Sequence, residues 1–197
     1  MIYRLAAGLT GWFIQQGLLQ QEDYEVYVYC IDRLFGQVFF YITLFAVAIY
    51  LHILPQTIWY YIGFNAFRYT AGGYHAKTDK ACMVLTWTVY AVSMVAVHYA
   101  VPFTMATSAG SIVCVVLGTI VAYKYAPIDH FNKPVSAERK MQMRRYCLMF
   151  QLVFVLLVLL LLALRMGGYA LCLALGNGLA ALFLLYAYYT HQGGTTI

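Results

Sequence analysis

The sequence has 197 residues, of which 63% are hydrophobic and 10% are charged. Water-soluble domains are about half apolar and about a quarter charged, so this composition excludes an ordinary soluble protein. The net charge of +5 comes without a base-reading motif, and we interpret it as a matter of membrane topology rather than of nucleic-acid binding. We expect one all-α integral membrane domain over residues 1–197.

The N-terminal residues 2–19 have the pattern of an amphipathic helix. Their large apolar side chains share one helical face, and the polar ones lie mostly elsewhere; that face carries Ile2, Leu5, Leu9, Trp12 and Phe13. Such a helix lies in the membrane interface rather than across it. We therefore predict an interfacial amphipathic helix before the first span.

Six membrane segments follow, each free of Lys, Arg, Asp and Glu. About 20 apolar residues cross a hydrocarbon core of about 30 Å. Five runs are long enough to do so: residues 34–54, 81–101, 105–123, 146–164 and 169–189. Between the first two, Pro55 breaks the helix and residues 58–67 make a short or re-entrant segment. The pattern predicts a helical bundle of about six segments.

Basic residues predict the orientation. Six of the twelve Lys and Arg residues crowd the loop between residues 123 and 146: Lys124, Lys133, Arg139, Lys140, Arg144 and Arg145. Arg68, Lys77 and Lys80 fall on the same side, and only Arg165 opposes the scheme. Cytoplasmic loops are rich in Lys and Arg, so we expect a multi-pass cell-membrane protein with this loop in the cytoplasm. If the short segment crosses the membrane, both termini are cytoplasmic; if it does not, the N-terminal end lies outside.

Small and polar residues within the spans predict helix contacts. A small residue recurs every four positions in one span, as Ala106, Gly110, Cys114, Gly118 and Ala122. This stripe favours packing within one subunit, and a homodimer is the alternative. We expect Gln151 and Asn177 to form helix–helix hydrogen bonds. The tyrosines near span ends are interpreted as interface anchors: Tyr60, Tyr61, Tyr186, Tyr188 and Tyr189.

The five cysteines are scattered and include no CxxC pair. Neither a disulfide framework nor a metal site is predicted, and we expect no cofactor.

The segment from residue 68 to residue 82 has several features of an active site. The glycine pair Gly72 and Gly73 permits a tight turn and offers unhindered N–H groups to a developing oxyanion. Thr78 or Asp79 is the expected N-cap of the next helix, which places Cys82 in the first turn, where the helix dipole favours a thiolate.

His75 lies in the loop before that turn and is the candidate base for the Cys82 thiol. In a straight helix their Cα atoms would be about 10 Å apart, so the loop must turn. The alternative is that Cys82 is a small helix-end residue and that His75 binds lipid headgroups.

The run R-x3-G-G-x-H-x6-C between Arg68 and Cys82 resembles the accessory gene regulator B (AgrB) family. Residues 126–140 resemble a second family segment, A-P-x-(D/E)-x-x-N-(K/R)-P-(I/L/V)-(S/T). The two blocks cover about residues 68–145, and the order of spans extends the likeness.

This resemblance implies a membrane-embedded cysteine endopeptidase that processes a quorum-sensing, AgrD-like propeptide. It implies that Cys82 and His75 are catalytic, and that Arg68 and Gly73 occupy other motif positions. A third partner is not identified: Asp79 either orients His75 or caps the helix. The acyl-enzyme would pass to an internal cysteine or serine of the peptide, closing a thiolactone or lactone ring, or to water.

The family's substrate has an amphipathic N-terminal part and an acidic C-terminal part. The hypothesis that follows is that basic residues bind the acidic tail, with a purely topological role as the alternative. The residues concerned are Lys133, Arg139, Lys140, Arg144 and Arg145. Two other classes of function stay open: a small peptide exporter or channel in which Cys82 is incidental, and a structural partner that holds the propeptide or a sensor.

Overall fold

The computed structural model describes residues 2–74, 78–128 and 136–190, apart from the side chains of Ile2 and Asp79. These residues form seven α-helices, which confirms the all-α prediction. The helices are α1 (Ile2–Gln15), α2 (Tyr24–Tyr50), α3 (Leu54–Ala71), α4 (Asp79–Ala100), α5 (Thr104–Tyr125), α6 (Ala137–Ala163) and α7 (Gly167–Tyr189). A short 3-10 helix, Gln21–Asp23, precedes α2.

Five helical segments are long and apolar enough to cross a membrane. They are Gln21–Tyr50, Lys80–Ala100, Thr104–Tyr125, Ala137–Ala163 and Gly167–Tyr189. The chain is therefore a multi-pass membrane protein. The sixth predicted segment is α3, a continuous helix of 18 residues, about 27 Å long at 1.5 Å per residue.

Two helices begin earlier than the apolar runs predicted. α2 begins at Tyr24 rather than at residue 34, and α6 begins at Ala137 rather than at residue 146. Their first turns carry charged residues, which are compatible with a helix but not with hydrocarbon. Apolar runs mark the limits of the hydrocarbon core, whereas the helices continue beyond them.

The helices form two compact units, one within Met1–Ile53 and one within Leu54–Ile197. In the first unit α1 packs against α2. On α1 the side chains of Leu5 and Trp12 are more than half exposed, at 59% and 51%, as an interfacial helix requires. The interfacial location and the single-domain organisation both stay predictions.

In the second unit α7 is the central helix and packs most extensively against α3 and α5. Glycine allows the backbones of α3 and α7 to touch. A Cβ on Gly63 would collide with the Leu173 carbonyl oxygen and lie 3.0 Å from the Asn177 nitrogen, and a Cβ on Gly176 would collide with the Tyr60 carbonyl oxygen. Small residues at such crossings are what helix packing in membranes requires.

The predicted small-residue stripe of α5 also faces α7. A Cβ on Gly110 would lie 3.4 Å from Leu171, and one on Gly178 would lie 3.3 Å from the Cys114 side chain. Packing within one subunit thus accounts for the stripe, and a homodimer remains a separate prediction.

Polar side chains in the interior of this unit pair with one another. Gln151 and Asn177 are 1% and 0% exposed and hydrogen-bond each other, which confirms their predicted role. Thr57 and Tyr90 share a hydrogen bond of 2.6 Å between α3 and α4. Each pair satisfies polar groups that hydrocarbon would leave unsolvated.

The interpretation of Tyr60 and Tyr61 as interface anchors is wrong. They are 1% and 6% exposed, and both rings contact Tyr90 of α4, with centroids 5.6 and 5.7 Å away. Tyrosine resembles an anchor in sequence because it is amphipathic, but here the aromatic surface fills the space between α3 and α4.

One end of the second unit gathers the two sequence blocks. The end of α3 meets the chain after α5, where the Ile128 N–H donates to the Ala71 carbonyl at 3.0 Å. The last turns of α5 and α7 meet through the rings of Tyr125 and Tyr188, 4.9 Å apart. The C-terminal end of α4 lies beside the N-terminal end of α7, since a Cβ on Gly168 would be 3.1 Å from Val101. The first turn of α4, with Cys82, therefore belongs to the end that gathers these segments.

Candidate active site

Cys82 lies in the first turn of α4, as predicted. Thr78 is the N-cap, with an extended backbone and a hydroxyl oxygen that accepts from the Ala81 N–H at 3.3 Å. The Cys82 N–H donates to the Thr78 carbonyl at 3.0 Å, so Cys82 provides the first backbone bond of the helix. The thiol thus lies beside the positive end of the helix dipole, and the side chain is partly exposed.

Gly72 and Gly73 form the turn that ends α3. Their φ angles are +82° and +153°, values that residues with a Cβ rarely adopt. The Gly72 N–H donates to the Arg68 carbonyl at 3.0 Å and so completes the helix end. Among the described backbone groups no acceptor is paired with the Gly73 N–H.

Tyr74, which directly precedes His75, is held through both of its backbone polar groups. Arg68 donates from Nη2 to the Tyr74 carbonyl at 2.8 Å, and the Tyr74 N–H donates to the Phe183 carbonyl of α7 at 3.2 Å. The Tyr74 ring meets the Tyr186 ring edge to face, with centroids 4.9 Å apart. The chain is therefore fixed to α3 and α7 immediately before the candidate base.

Arg68 owes its position to two aromatic rings. Its guanidinium carbon lies 5.5 Å from the Phe64 centroid and 5.7 Å from the Phe183 centroid. A cation in contact with ring faces is stabilised where water is scarce. The rings hold the guanidinium at the Tyr74 carbonyl, so Arg68 supports the loop from within the bundle.

The two motif blocks meet at Ile128. Besides the bond from the Ile128 N–H to the Ala71 carbonyl, the Ile128 carbonyl oxygen lies so near Gly72 that an added Cβ would be 2.8 Å away. The segment after α5 therefore forms one side of the Gly72 turn. Blocks far apart in sequence share one site.

The basic residues of α6 that were predicted to bind substrate lie near the end of α5. Arg139, Arg144 and Arg145 are exposed and Lys140 is partly buried. Arg144 donates to the Tyr123 carbonyl at 3.2 Å, which ties the first turns of α6 to the end of α5. These cations lie at the Cys82 end of the unit.

Some predicted site residues fall outside the described part of the chain. They are His75, Lys133 and the side chain of Asp79. The backbone of Asp79 is the first residue of α4, and Thr78 rather than Asp79 provides the cap.

Sequence reasoning missed Phe183, Tyr186 and Ile128, and it gave no role to Tyr74. Tyr74 and Ile128 occupy variable positions of the two motifs, and all four act through backbone or ring contacts between segments distant in the sequence. The available signal was the aromatic cluster at the end of the last span, which the sequence attributes equally well to lipid headgroups.

Comparison with known proteins yields one match. The family model described as AgrB, Accessory gene regulator B, matches residues 6–185. Neither the search of curated proteins nor the search of solved structures found a match. The matched range includes both motif blocks and every helix that contributes to the site.

Proposed function

Because the chain belongs to the accessory gene regulator B family, whose members take part in processing a quorum-sensing propeptide, we propose that it is a cysteine endopeptidase for such a propeptide. The observation that carries the proposal is the partly exposed Cys82 in the first turn of α4. A thiolate at that position has a helix dipole to stabilise it and a route for substrate to reach it.

The proposed reaction begins when His75 takes the proton of the Cys82 thiol. The thiolate attacks the carbonyl carbon of the scissile peptide bond, the C–N bond breaks, and His75 returns the proton to the leaving amine. A thioester between the peptide and Cys82 results. An internal thiol or hydroxyl of the peptide then displaces Cys82 and closes the ring, whereas attack by water gives a linear acid.

The Gly73 N–H is the proposed donor to the oxyanion of the tetrahedral intermediate. The bond from the Gly72 N–H to the Arg68 carbonyl leaves Gly72 to shape the turn rather than to donate. A preorganised donor of this kind contributes about 3–4 kcal/mol to transition-state stabilisation. Asp79 is retained as a proposed orienting residue for His75, with its place in the first helical turn as the competing explanation.

We place the acidic tail of the propeptide on the cations at the start of α6. The exposure of Arg139, Arg144 and Arg145 at the Cys82 end supports this, and Lys133 and Lys140 complete the proposed set. Replacing the three arginines with glutamate should raise KM for cleavage, and a propeptide whose tail acids are replaced with lysine should restore it. Unchanged cleavage by a variant that keeps its membrane orientation would leave these residues a topological role only.

The proposed orientation puts Cys82 and the α6 cations in the cytoplasm. The described members of the two basic clusters that predicted it lie at one end of the second unit, and Arg165 lies in the turn between α6 and α7 at the other. This distribution supports a cell-membrane location with the propeptide bound at the inner surface.

The deciding experiment is cleavage of a propeptide by the purified protein in lipid, with mass spectrometry of the enzyme. Wild type should cleave and carry an acyl adduct on Cys82, whereas Cys82→Ser and His75→Ala should do neither. Cys30→Ser is the matched control, because Cys30 is exposed but outside the motif. Equal cleavage by the Cys82 and His75 variants would reject the peptidase and favour the exporter or scaffold.

A further inference from the structure

The last turns of α7 support the loop that carries His75. The Phe183 carbonyl accepts from the Tyr74 N–H at 3.2 Å. One turn later the Tyr186 ring packs against the Tyr74 ring at an interplanar angle of 79°. A Cβ on Gly73 would lie 3.9 Å from the Leu184 nitrogen, so the loop backbone runs directly along α7.

These contacts fix Tyr74, the residue that directly precedes His75 in the chain. Consecutive Cα atoms are about 3.8 Å apart, and the carbonyl of the peptide that joins Tyr74 to His75 is the one that Arg68 holds at 2.8 Å. Tyr74, which is covalently bonded to His75, is thus held at its N–H, its carbonyl and its ring. A base must lie within hydrogen-bond reach of its thiol, and a displacement of about 1 Å is costly.

We infer that Tyr186 is a positioning residue for His75 and acts through the ring of Tyr74. The inference rests on the proposed peptidase function and adds to it a residue outside both motif blocks. Tyr186 is 53% exposed, so the competing explanation is an anchor in lipid headgroups. That explanation also covers Tyr189, which is 68% exposed and whose ring contacts Tyr188.

The comparison of Tyr186 with Tyr189 therefore separates the two explanations. Both are tyrosines of the same helix end, but Tyr186 contacts Tyr74 and Tyr189 contacts Tyr188. Tyr186→Ala removes the ring contact with Tyr74, and Tyr186→Phe keeps the ring and removes only the hydroxyl. Tyr189→Ala removes a tyrosine of the same helix end whose ring contacts Tyr188 rather than Tyr74.

The first readout is the rate at which iodoacetamide alkylates Cys82 in the full-length protein in lipid, followed by mass spectrometry of the Cys82 peptide. His75→Ala gives the rate without the base. Tyr186→Ala should lower the His75-dependent part of the rate roughly threefold to tenfold, as the loss of one aromatic pair predicts. Tyr186→Phe and Tyr189→Ala should keep the wild-type rate.

The second readout is propeptide cleavage, in which Tyr186→Ala should lower kcat by a similar factor and leave KM unchanged. Tyr74→Ala removes the other ring of the same pair, so the double variant should be no slower than either single one. The comparison of Tyr74→Ala, Tyr186→Ala and the double variant keeps the inference testable if one of the variants assembles poorly.

Equal alkylation and cleavage rates for Tyr186→Ala and Tyr189→Ala would overturn the positioning role and leave the Cys82–His75 pair intact. If His75→Ala itself leaves Cys82 alkylation unchanged, the proposed catalytic pair fails and the positioning role fails with it.

Discussion

The side-chain amides of Gln151 on α6 and Asn177 on α7 bond each other twice, with donor–acceptor distances of 2.9 and 3.2 Å. The Thr119 hydroxyl of α5 lies 3.3 Å from the same Gln151 oxygen. Gly118 provides the space, because a Cβ there would collide with the Asn177 amide. Three helices thus meet at one buried polar cluster.

Replacing both members of this pair should cost less than the sum of the two single replacements. Gln151→Leu leaves the Asn177 amide buried without its partner, at a cost of about 1–3 kcal/mol in the free energy of unfolding. The double variant Gln151→Leu/Asn177→Leu should recover a coupling of about 0.6–1.7 kcal/mol. Reversible unfolding in mild detergent should be measured for the wild type, the two single variants and the double variant. If the loss of stability in the double variant equals the sum of the two single losses, the expected coupling is absent.

Gly63→Ala and Gly176→Ala should each separate α3 from α7. The added methyl meets a backbone carbonyl oxygen in both cases, and backbone cannot rotate away as a side chain can. We expect each to lower the free energy of unfolding by about 1–3 kcal/mol and to reduce propeptide cleavage, since α3 and α7 together hold Tyr74.

Gly36→Ala is the control for these two variants. A Cβ there would meet nothing within 4 Å, and alanine favours a helix by about 1 kcal/mol over glycine. Gly36→Ala should unfold at or above the wild-type temperature, whereas Gly63→Ala and Gly176→Ala should unfold below it. That result would show that the destabilisation comes from the contact between α3 and α7 and not from the loss of a glycine as such.

Gly72→Ala should impair the site more than it impairs the fold. A φ of +82° costs a residue with a Cβ about 1–2 kcal/mol, and the methyl would also lie 2.8 Å from the Ile128 carbonyl oxygen. If the loop shifts to relieve this strain, the population with Tyr74 in place falls about tenfold for each 1.4 kcal/mol. Cleavage rate and unfolding temperature should be measured on the same preparation.

Gly17→Ala is the control that introduces backbone strain from a positive φ without a steric clash. Gly17 has a similar φ of +69° but nothing within 4 Å of an added Cβ. This variant should lose stability in the first unit while propeptide cleavage is kept. Equal losses of cleavage in Gly17→Ala and Gly72→Ala would argue against a specific role for the Gly72–Ile128 contact.

The number and order of the helices followed from the sequence because absent charges mark hydrocarbon directly. The ends of the helices could not be predicted from the absence of charge, because a helix can continue into water. The exposed Arg139 and Arg145, for example, lie in helical turns of α6 outside its apolar run. α3 was predicted too short because Pro55 and Arg68 bound its apolar run, yet the helix accommodates Pro55 in its first turn and Arg68 in its last turn.

The site was predictable only as far as it is local. Thr78 and Cys82 belong to one helical turn, so a cap motif sufficed to place them. The contact of Tyr74 with Tyr186 joins residues more than a hundred positions apart, and tertiary packing alone brings them together. A tyrosine near a span end has the same sequence signature whether it binds a headgroup or a catalytic loop.

The central position of α7 also governs how the protein is made. Translation delivers α3 and Cys82 before Phe183 and Tyr186 exist, and until α7 enters the membrane the Gly63 face of α3 and the backbone of Tyr74 lack their partner helix. A nascent chain can therefore contain the whole R-x3-G-G-x-H-x6-C motif without the framework that fixes it. The proposed proteolytic activity should therefore follow the insertion of α7 rather than the synthesis of Cys82.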